Sequence, residues 1–281
     1  MTETEPIPIS LCRRILQHFG MTAQPPRTLE TLQHLVASYT RALPWESASR
    51  ILRRARREKA SACAILGADF WESHFAHGTG GTCYESNYAF FGLLRRLGYE
   101  GYLTINDMGA AIGCHSAIVV LFDGRKYLVD VGFPLYTIIA INANKETKAE
   151  CPIMNYKLSP QGGNRYQLRR ESHPRVHSFL LRDEPVADAD YRAISIHDYR
   201  HDGGQFLNEV VIHKVVDDQL WRFHSDVRPF CTQQFVDGER RDQALGDDPA
   251  AELAEKFGIA RAVVAEAMGV LGLLHGGRAT L

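Results

Sequence analysis

Residues 78–87, GTGGTCYESN, bring a glycine-rich turn up to a single cysteine, Cys83. The apolar run 88–97, YAFFGLLRRL, follows at once and predicts a helix that Gly98 ends. Cys83 then lies at a helix N-terminus, where unpaired amides and the helix dipole stabilise a thiolate and an oxyanion formed beside it. The pattern predicts that Cys83 is a nucleophile. The competing interpretation is a small buried thiol that only packs.

A β-hairpin is predicted downstream, within residues 114–133. Two runs rich in Val, Ile and Leu flank Asp123-Gly124, a dipeptide typical of a two-residue hairpin turn. Such a turn places Phe122 opposite Arg125, and that pair sets the register of both strands.

In that register His115 faces Gly132, and Asp130 lies one diagonal step away on the same face, at about 7–8 Å. His115 is predicted to accept the Cys83 proton, and Asp130 to hold the imidazole in the tautomer that can do so. The resulting thiolate–imidazolium pair attacks a carbonyl to form a thioester, so these residues alone predict acyl transfer or hydrolysis. No P-loop or dinucleotide-binding fingerprint identifies the acyl donor.

These motifs resemble the arylamine N-acetyltransferase family. The family pattern is Arg-Gly-Gly-x-Cys, then a His in the next pair of strands, then Asp-x-Gly-Phe. The chain has GGTC at 80–83, His115, and DVGF at 130–133. Three further matches follow the family order: LPWE at 43–46, QFLN at 205–208 and LAEKFGI at 253–259. The resemblance spans residues 29–259.

The resemblance implies an acetyl-CoA-dependent enzyme of xenobiotic metabolism that works by a ping-pong cycle. The acetyl group passes from acetyl-CoA to Cys83, and then to an arylamine, an arylhydrazine or an N-hydroxyarylamine. His115 is the general base in this assignment, and Asp130 is its orienting partner. Phe133 is the wall that stacks on the acceptor ring, and Trp45 stands where the family has a second pocket Phe. The resemblance assigns no residue to CoA and implies no metal.

Three departures from the family pattern bear on the substrate range. Thr79 replaces the family's Arg, so the ion pair with Glu46 cannot form as it does in the family. Pro134 replaces the glycine that normally follows Asp-x-Gly-Phe, and it stiffens the pocket wall. Residues 59–77 are longer than the corresponding family segment. None of these departures removes the three predicted catalytic residues.

Three other functions are compatible with the same residues. One is a specialised acyltransferase similar to the amide synthases that release polyketides, with a carrier-bound acyl chain as donor. Another is a thiol hydrolase or transglutaminase-like enzyme. The third is a scaffold that keeps the residues without turnover. Rapid loss of the acyl group to water would indicate the hydrolase, and a Cys83 inert to iodoacetamide would indicate the scaffold.

Composition excludes several classes of partner. The chain has 281 residues, 45% of them apolar, which is enough for two or three subdomains. A formal net charge of −1 provides no field that would attract nucleic acid or an anionic membrane. The N-terminus has no basic segment before an apolar core, and no run approaches the roughly 18 apolar residues of a membrane span. A cytoplasmic location is expected as the default. The small aromatic amine is the partner that the family resemblance implies, and the oligomeric state is left open.

Three further features receive structural interpretations. The six cysteines are scattered, so reduced thiols are expected rather than disulfides or structural zinc. His197 and His201 have the i, i+4 spacing of helical metal ligands but lack the glutamate of the zinc-hydrolase motif, so a connecting helix is expected. The basic run 49–59 is interpreted as a solvated helix face, with a contact to phosphates as the alternative.

The order of the periodicities predicts an α+β fold. Helices are expected through residues 1–98, a helical domain that presents the nucleophile. Period-two segments in 99–186, among them 115–122, 126–131 and 176–181, predict an antiparallel β-barrel that carries the histidine and the aspartate. Residues 187–204 are predicted as a linking helix and 205–281 as an α/β lid whose final helix starts near Pro249. The resemblance adds that the core is cysteine-protease-like.

Overall fold

Helices make up most of the chain before residue 98. The computed structural model describes residues 4–171, 173, 177–200 and 204–273. The first elements are α1 (Ile9–His18), α2 (Leu29–Ala42), the short strand β1 (Trp45–Glu46), α3 (Ala48–Arg56), α4 (Ala60–Cys63), α5 (Ala68–His77) and α6 (Cys83–Arg96). Helix α6 is central, because residues 83–94 are all buried. Gly98, at φ +82°, follows its end as predicted, since a side chain would strain this left-handed backbone.

Eight antiparallel strands curl into a nearly closed barrel, which confirms the predicted middle architecture. The strands are β2 (Glu100–Met108), β3 (Ala111–Phe122), β4 (Arg125–Val129), β5 (Ile139–Ile141), β6 (Thr147–Glu150), β7 (Asn155–Gly162), β8 (Arg165–Glu171) and β9 (Ser178–Arg182). Their order is β5-β4-β3-β2-β9-β8-β7-β6. The edge strands meet where Thr147 Oγ1 donates a hydrogen bond to the Ala140 carbonyl at 2.6 Å. The predicted strand at 176–181 begins at a residue outside those described, and β9 is its described part.

The β3–β4 hairpin has the predicted register, with Phe122 opposite Arg125. Its turn is Asp123-Gly124, with positive φ at both residues. The strand ends at Val129, however, so its predicted continuation to residue 131 is wrong. The Asp130 side chain accepts the backbone N–H groups two and three residues further on, and this turns the chain out of the sheet.

A second sheet, backed by helices, completes the described chain. Its order is β1-β10-β11-β12-β13, with β10 (Val211–Val216), β11 (Gln219–His224), β12 (Cys231–Val236) and β13 (Glu239–Ala244). Helices α8 (Pro249–Phe257) and α9 (Arg261–Val270) share a hydrophobic core with α3. Helix α8 begins at Pro249 as predicted, but α9 follows it, so α8 is not the final helix. The sequence pattern does not indicate β13, because its ERRDQA is exposed at every position and lacks apolar alternation.

Strand β1 belongs to the predicted helical domain, yet it pairs with β10 of the predicted lid. The second sheet therefore joins segments that are distant in the sequence. The domain boundaries at residues 98, 186 and 204 stay predictions.

The basic run 49–59 is only partly a solvated face. Residues 55–59 are exposed as predicted, but Arg50 and Arg53 of α3 are buried. Arg50 pairs with Asp198, and Arg53 pairs with Glu85, both at 2.7 Å. The interpretation is wrong for these two arginines, because acids distant in the sequence supply the partners that buried cations require.

The predicted linking helix is present but shorter than predicted, and the cysteines are unpaired as predicted. Helix α7 (Asp188–His197) is the linking helix, and it ends earlier than predicted. His201 lies outside the described residues, so the interpretation of its spacing from His197 stays a prediction. All six cysteines are free thiols. In the part of the chain that the structure describes, no helix is both long and apolar enough to cross a membrane.

Candidate active site

Cys83 is the first residue of α6, as predicted, and it is 7% exposed. The turn before it requires glycine because the backbone passes close to another segment. A Cβ on Gly80 would lie 1.7 Å from the Pro44 carbonyl oxygen. This close packing sets the helix start, and Cys83 Sγ lies 3.7 Å from the Cys114 carbonyl oxygen of β3.

His115 and Asp130 are in direct contact, with 2.6 Å between Nε2 and Oδ2. Both side chains are buried. Because a carboxylate only accepts, Nε2 carries the ring proton and Nδ1 is left to face the thiol. The Cys83 thiol lies close enough to this imidazole to act on its pKa as a hydrogen-bonding and charged neighbour, and both line one cavity. The structure thus brings together the three residues that the helix and the hairpin predict.

The charge state of His115 follows from these contacts. Burial by itself lowers the pKa of the imidazole, but the charge and hydrogen bond of Asp130, together with the Cys83 hydrogen bond, raise it to about 10. His115 therefore holds a second proton at neutral pH. That proton makes it the imidazolium half of the predicted ion pair.

Asn87 belongs to the site, although the sequence reasoning assigns it no role. Its Nδ2 donates to Asp130 Oδ1 at 2.9 Å and to the Ser116 carbonyl at 2.7 Å. Its Oδ1 accepts the Val131 N–H at 3.0 Å. Asn87 lies one helical turn after Cys83, so it connects the hairpin to the helix that carries the thiol. The i, i+4 spacing of this Cys and Asn, which places both on one helix face, was the available signal.

Replacement of Gly132 with alanine is expected to reduce both activity and stability. A Cβ at Gly132 would lie 2.4 Å from Cys83 Cα and 2.7 Å from Asn87 Nδ2, so the turn would have to move away from α6. Overpacking of this kind typically costs about 1–3 kcal/mol. Thermal unfolding and transfer rates measure the effect. Gly269→Ala, where a Cβ meets nothing within 4 Å, is the control, and equal losses in both variants would contradict the prediction.

The raised pKa of His115 predicts a loss of stability in alkaline solution. An unfolded histidine titrates at about 6.5 and an unfolded cysteine at about 8.5. In the predicted ion pair the second proton of His115 comes from the Cys83 thiol, so the folded pair and the unfolded residues hold equal numbers of protons between those two values. The stabilisation that the raised pKa of His115 represents is therefore lost as the pH rises from about 8.5 towards about 10. This group should lower the free energy of unfolding by about 1.4 kcal/mol per pH unit in that window. Urea unfolding of the parent and of His115→Gln across the window tests this slope. Equal slopes in the two proteins would contradict it.

The thiol and the two predicted pocket residues line one cavity of about 230 Å³. Trp45, in β1, packs edge-on against Phe206 with 4.8 Å between ring centroids. Phe133 is 6% exposed, and one face of its ring carries the Arg170 guanidinium, whose Cζ lies 4.0 Å from the ring centroid. Trp45 and Phe133 therefore border the cavity that contains Cys83, and their contact with an acceptor stays a prediction.

Glu46, whose family partner is replaced by Thr79, is held by hydrogen bonds. It is fully buried and accepts the Gly80 N–H at 3.2 Å and the Ser49 N–H at 2.8 Å. Burial raises the pKa of Glu46, against the hydrogen bonds of Ser49 and the charge of Arg53. The positive charge that acts on the Glu46 carboxyl group is therefore that of Arg53 in α3, and not that of an arginine at position 79 as in the family pattern.

Arg53 also supports the start of α6. Its Nη2 lies 2.7 and 2.9 Å from the two carboxylate oxygens of Glu85 and 2.9 Å from the Tyr199 hydroxyl. Glu85 is fully buried and comes two residues after Cys83. An arginine that the sequence interpretation places in solvent thus holds the first turn of the helix that carries the thiol.

One group at the edge of the cavity has the composition of a metal site. The candidate ligand atoms of Glu209, His224 and Asp226 lie within 4.8 Å of one another. His224 Nδ1, however, accepts the Asp226 backbone N–H at 3.2 Å, so the ring proton sits on Nε2 and points to Glu209 at 3.0 Å. A metal ion bound at His224 Nε2 would have to displace the proton shared with Glu209, and His224 Nδ1 is already used as the acceptor for the Asp226 N–H group. The geometry suits a hydrogen bond to Glu209 better than a metal ion.

The chain is similar to known proteins along most of its length. Residues 28–262 match the model of a family described as N-acetyltransferase. Proansamycin X synthase of Amycolatopsis mediterranei (strain S699) is 33% identical over 127 residues, which are 42% of this chain and 46% of that protein, so the match spans about half of the synthase. The arylamine N-acetyltransferase of Mycolicibacterium smegmatis is 27% identical over 225 residues, which are 72% of this chain and 76% of that protein.

The fold is shared with a solved structure. The arylamine N-acetyltransferase of Mycobacterium marinum in complex with CoA superposes with a TM-score of 0.74 over 92% of this chain and 97% of that one. The sequences are 20% identical, so the likeness concerns the fold. It confirms the predicted α+β architecture.

Proposed function

Because this chain belongs to the arylamine N-acetyltransferase family, we propose that it transfers an acetyl group from acetyl-CoA to a small aromatic amine through a thioester on Cys83. The observation that carries the proposal is the contact of Cys83 with His115, and of His115 with Asp130, beside one cavity. A relative that was solved with CoA supports CoA as the carrier of the acyl group. Arylhydrazines and N-hydroxyarylamines are further proposed acceptors.

The first half-reaction loads the cysteine. The Cys83 sulfur attacks the thioester carbonyl of acetyl-CoA, with its proton on His115, and the oxyanion that forms faces the unpaired N–H groups of the first turn of α6. The carbon–sulfur bond to CoA then breaks, and His115 returns the proton to the departing CoA thiolate. Asp130 holds the imidazole in place throughout. Free CoA and acetyl-Cys83 result.

The second half-reaction discharges the thioester. The acceptor nitrogen attacks the acetyl carbonyl, and the Cys83 sulfur leaves with the bonding electrons. His115 accepts the proton that the amine loses, which restores the starting ion pair. The products are the N-acetylated amine and the resting enzyme. Each step uses only the residues that the structure brings together and the two substrates.

Intact-mass spectrometry after mixing with acetyl-CoA tests the proposal. An acetyl-sized adduct that maps to Cys83 and disappears when an arylamine is added is the expected result. Cys114→Ser is the matched control, because Cys114 lines the same cavity and its thiol donates to the Ala111 carbonyl at 3.3 Å instead. That variant should load normally.

Other outcomes of the same experiment select the alternatives. An adduct that water removes as fast as any amine would indicate a hydrolase. Loading only from a carrier-bound chain would indicate a specialised amide synthase. An adduct on another cysteine would contradict the assignment of Cys83. A cytoplasmic location accords with six reduced thiols and stays a prediction.

A further inference from the structure

The wall of the cavity opposite the helix start carries two arginines. Arg170 of β8 and Arg222 of β11 both line it, and Arg222 is only 8% exposed. Arg222 donates from Nε to His213 Nε2 at 3.0 Å and from Nη1 to Gln233 Oε1 at 3.2 Å. Burial and the charges of Arg222 and Arg170 hold the pKa of His213 well below its usual value, so this imidazole is a neutral acceptor. Both cations thus act on one buried ring in the wall.

Not all N–H groups of the Arg170 guanidinium make hydrogen bonds to the described residues. Its Nη2 donates to the Phe133 carbonyl, and its guanidinium lies over the Phe133 ring. Its Nε is buried and has no hydrogen-bond partner among the described residues. The Phe133 ring is 5.9 Å from the His115 ring, between centroids. The guanidinium therefore lies one aromatic ring away from the catalytic imidazole.

The described lining of the cavity carries more positive than negative charge. Among the described lining residues, Glu209 is the one carboxylate. It is engaged with His224 at 3.0 Å, and burial followed by the nearby Asp226 raises the pKa of Glu209. The charge of Arg222 acts on the same carboxylate and opposes this rise in its pKa, so Glu209 offsets part of the Arg222 charge. With two guanidinium groups and one carboxylate in the described lining, an excess of positive charge is left at Arg170. A ligand that complements it carries negative charge at the end remote from the thiol.

We propose that this wall binds a carboxylate on the substrate, with Arg170 as the group that contacts it and Arg222 as a buried cation behind it. The inference rests on the proposed function and specifies its substrate class. A planar guanidinium binds a carboxylate through two parallel N–H bonds, and such charge-assisted bonds are about twice as strong as neutral ones. The carboxylate belongs either to the acceptor, as in an aminobenzoate, or to the far end of a dicarboxylic acyl group on CoA.

4-(Bromomethyl)benzoate and 4-(bromomethyl)benzamide test the wall without any acetyl transfer. The two reagents have the same size and alkylate the same thiol, but only the benzoate carries a carboxylate, and its ring holds that group away from the reacting carbon. Arg170→Gln should lower the ratio of the benzoate rate to the benzamide rate at Cys83 by about 10-fold, the loss of one charge-assisted contact. Arg169→Gln is the matched control, because Arg169 precedes Arg170 in β8, has the same charge and is exposed. It should leave the ratio unchanged.

Two substrate pairs distinguish the sources of the carboxylate. The acceptor pair is 4-aminobenzoate and 4-aminobenzamide, and the donor pair is succinyl-CoA and acetyl-CoA. Arg170→Gln should lower kcat/KM for the charged member of one pair by about 10- to 100-fold and leave the uncharged acceptor or acetyl-CoA within about twofold. The pair that responds identifies where the carboxylate resides.

The outcomes separate this inference from the proposed function. A fall in the alkylation ratio without any acetyl adduct from acetyl-CoA would sink the proposed function and keep the carboxylate site. Equal slowing of both reagents, or the same change in Arg169→Gln, would overturn the site whatever the enzyme acylates. If neither reagent reaches Cys83, calorimetry decides: the parent must bind 4-aminobenzoate more tightly than 4-aminobenzamide, and Arg170→Gln must abolish the difference.

Discussion

Replacement of Cys83 with alanine is expected to abolish acetyl transfer and to leave the fold intact. The side chain is small, and its contact with the Cys114 carbonyl, at 3.7 Å, is weak, so little packing is lost. The covalent route, in contrast, disappears completely. Loss of the nucleophile from a serine triad lowers kcat on the order of 10⁶-fold, and a fall of that size is expected here. Steady-state transfer and thermal unfolding together measure the two effects.

Cys231→Ala provides the control for this experiment. Cys231 is also a buried thiol at 7% exposure, but it lies in β12 of the second sheet and outside the cavity lining. Its removal should leave the transfer rate within a few fold. Appreciable acetylation of an arylamine by Cys83→Ala, or an equal loss in Cys231→Ala, would refute the role of Cys83.

The change of Asp130 to asparagine is expected to lower the rate on the order of 10⁴-fold, by analogy with a serine-protease triad. Asp130 accepts from His115 Nε2 on one oxygen, and from Asn87, Gly132 and Phe133 on the other. An amide NH₂ in either position would therefore face a donor. The imidazole would lose the charge that raises its pKa and the acceptor that sets its tautomer.

The rate of Cys83 alkylation by iodoacetamide at neutral pH measures the thiolate–imidazolium pair, because only the thiolate form of a cysteine is alkylated. Asp130→Asn should slow it strongly. Asp123→Asn is the matched control, because Asp123 lies in the exposed turn of the same hairpin and its positive φ of 48° suits Asn. Equally fast alkylation in the Asp130 variant and the parent would show that the imidazole does not depend on this carboxylate.

Local signals were sufficient for the main elements of the site. The Asp123-Gly124 turn determined the hairpin register, and the glycine turn before an apolar run placed Cys83 at the start of a helix. Both are short-range effects, since backbone φ preferences and apolar periodicity act within a few residues. The order of the periodicities likewise predicted helices before an antiparallel barrel.

Prediction was less accurate where hydrogen bonds, rather than the burial of apolar residues, decide the structure. The strand after the turn was expected to reach residue 131, but the Asp130 carboxylate accepts the next N–H groups and ends it at Val129. Strand β13 had no apolar alternation to indicate it, because both of its faces are exposed. In both cases the pattern of hydrophobic residues carries no information about the hydrogen bonds that decide the structure.

The sequence by itself determined which residues meet in the site, the α+β architecture and the family. Only the tertiary structure decided what surrounds them. Asn87 joins Asp130 to the helix that carries the thiol, and Arg170 covers the Phe133 ring. Arg53, which the sequence pattern places in solvent, is buried and paired with Glu85. The reason is physical. A buried polar group requires a partner, and that partner is whichever group the fold brings within about 3 Å, at any distance along the chain.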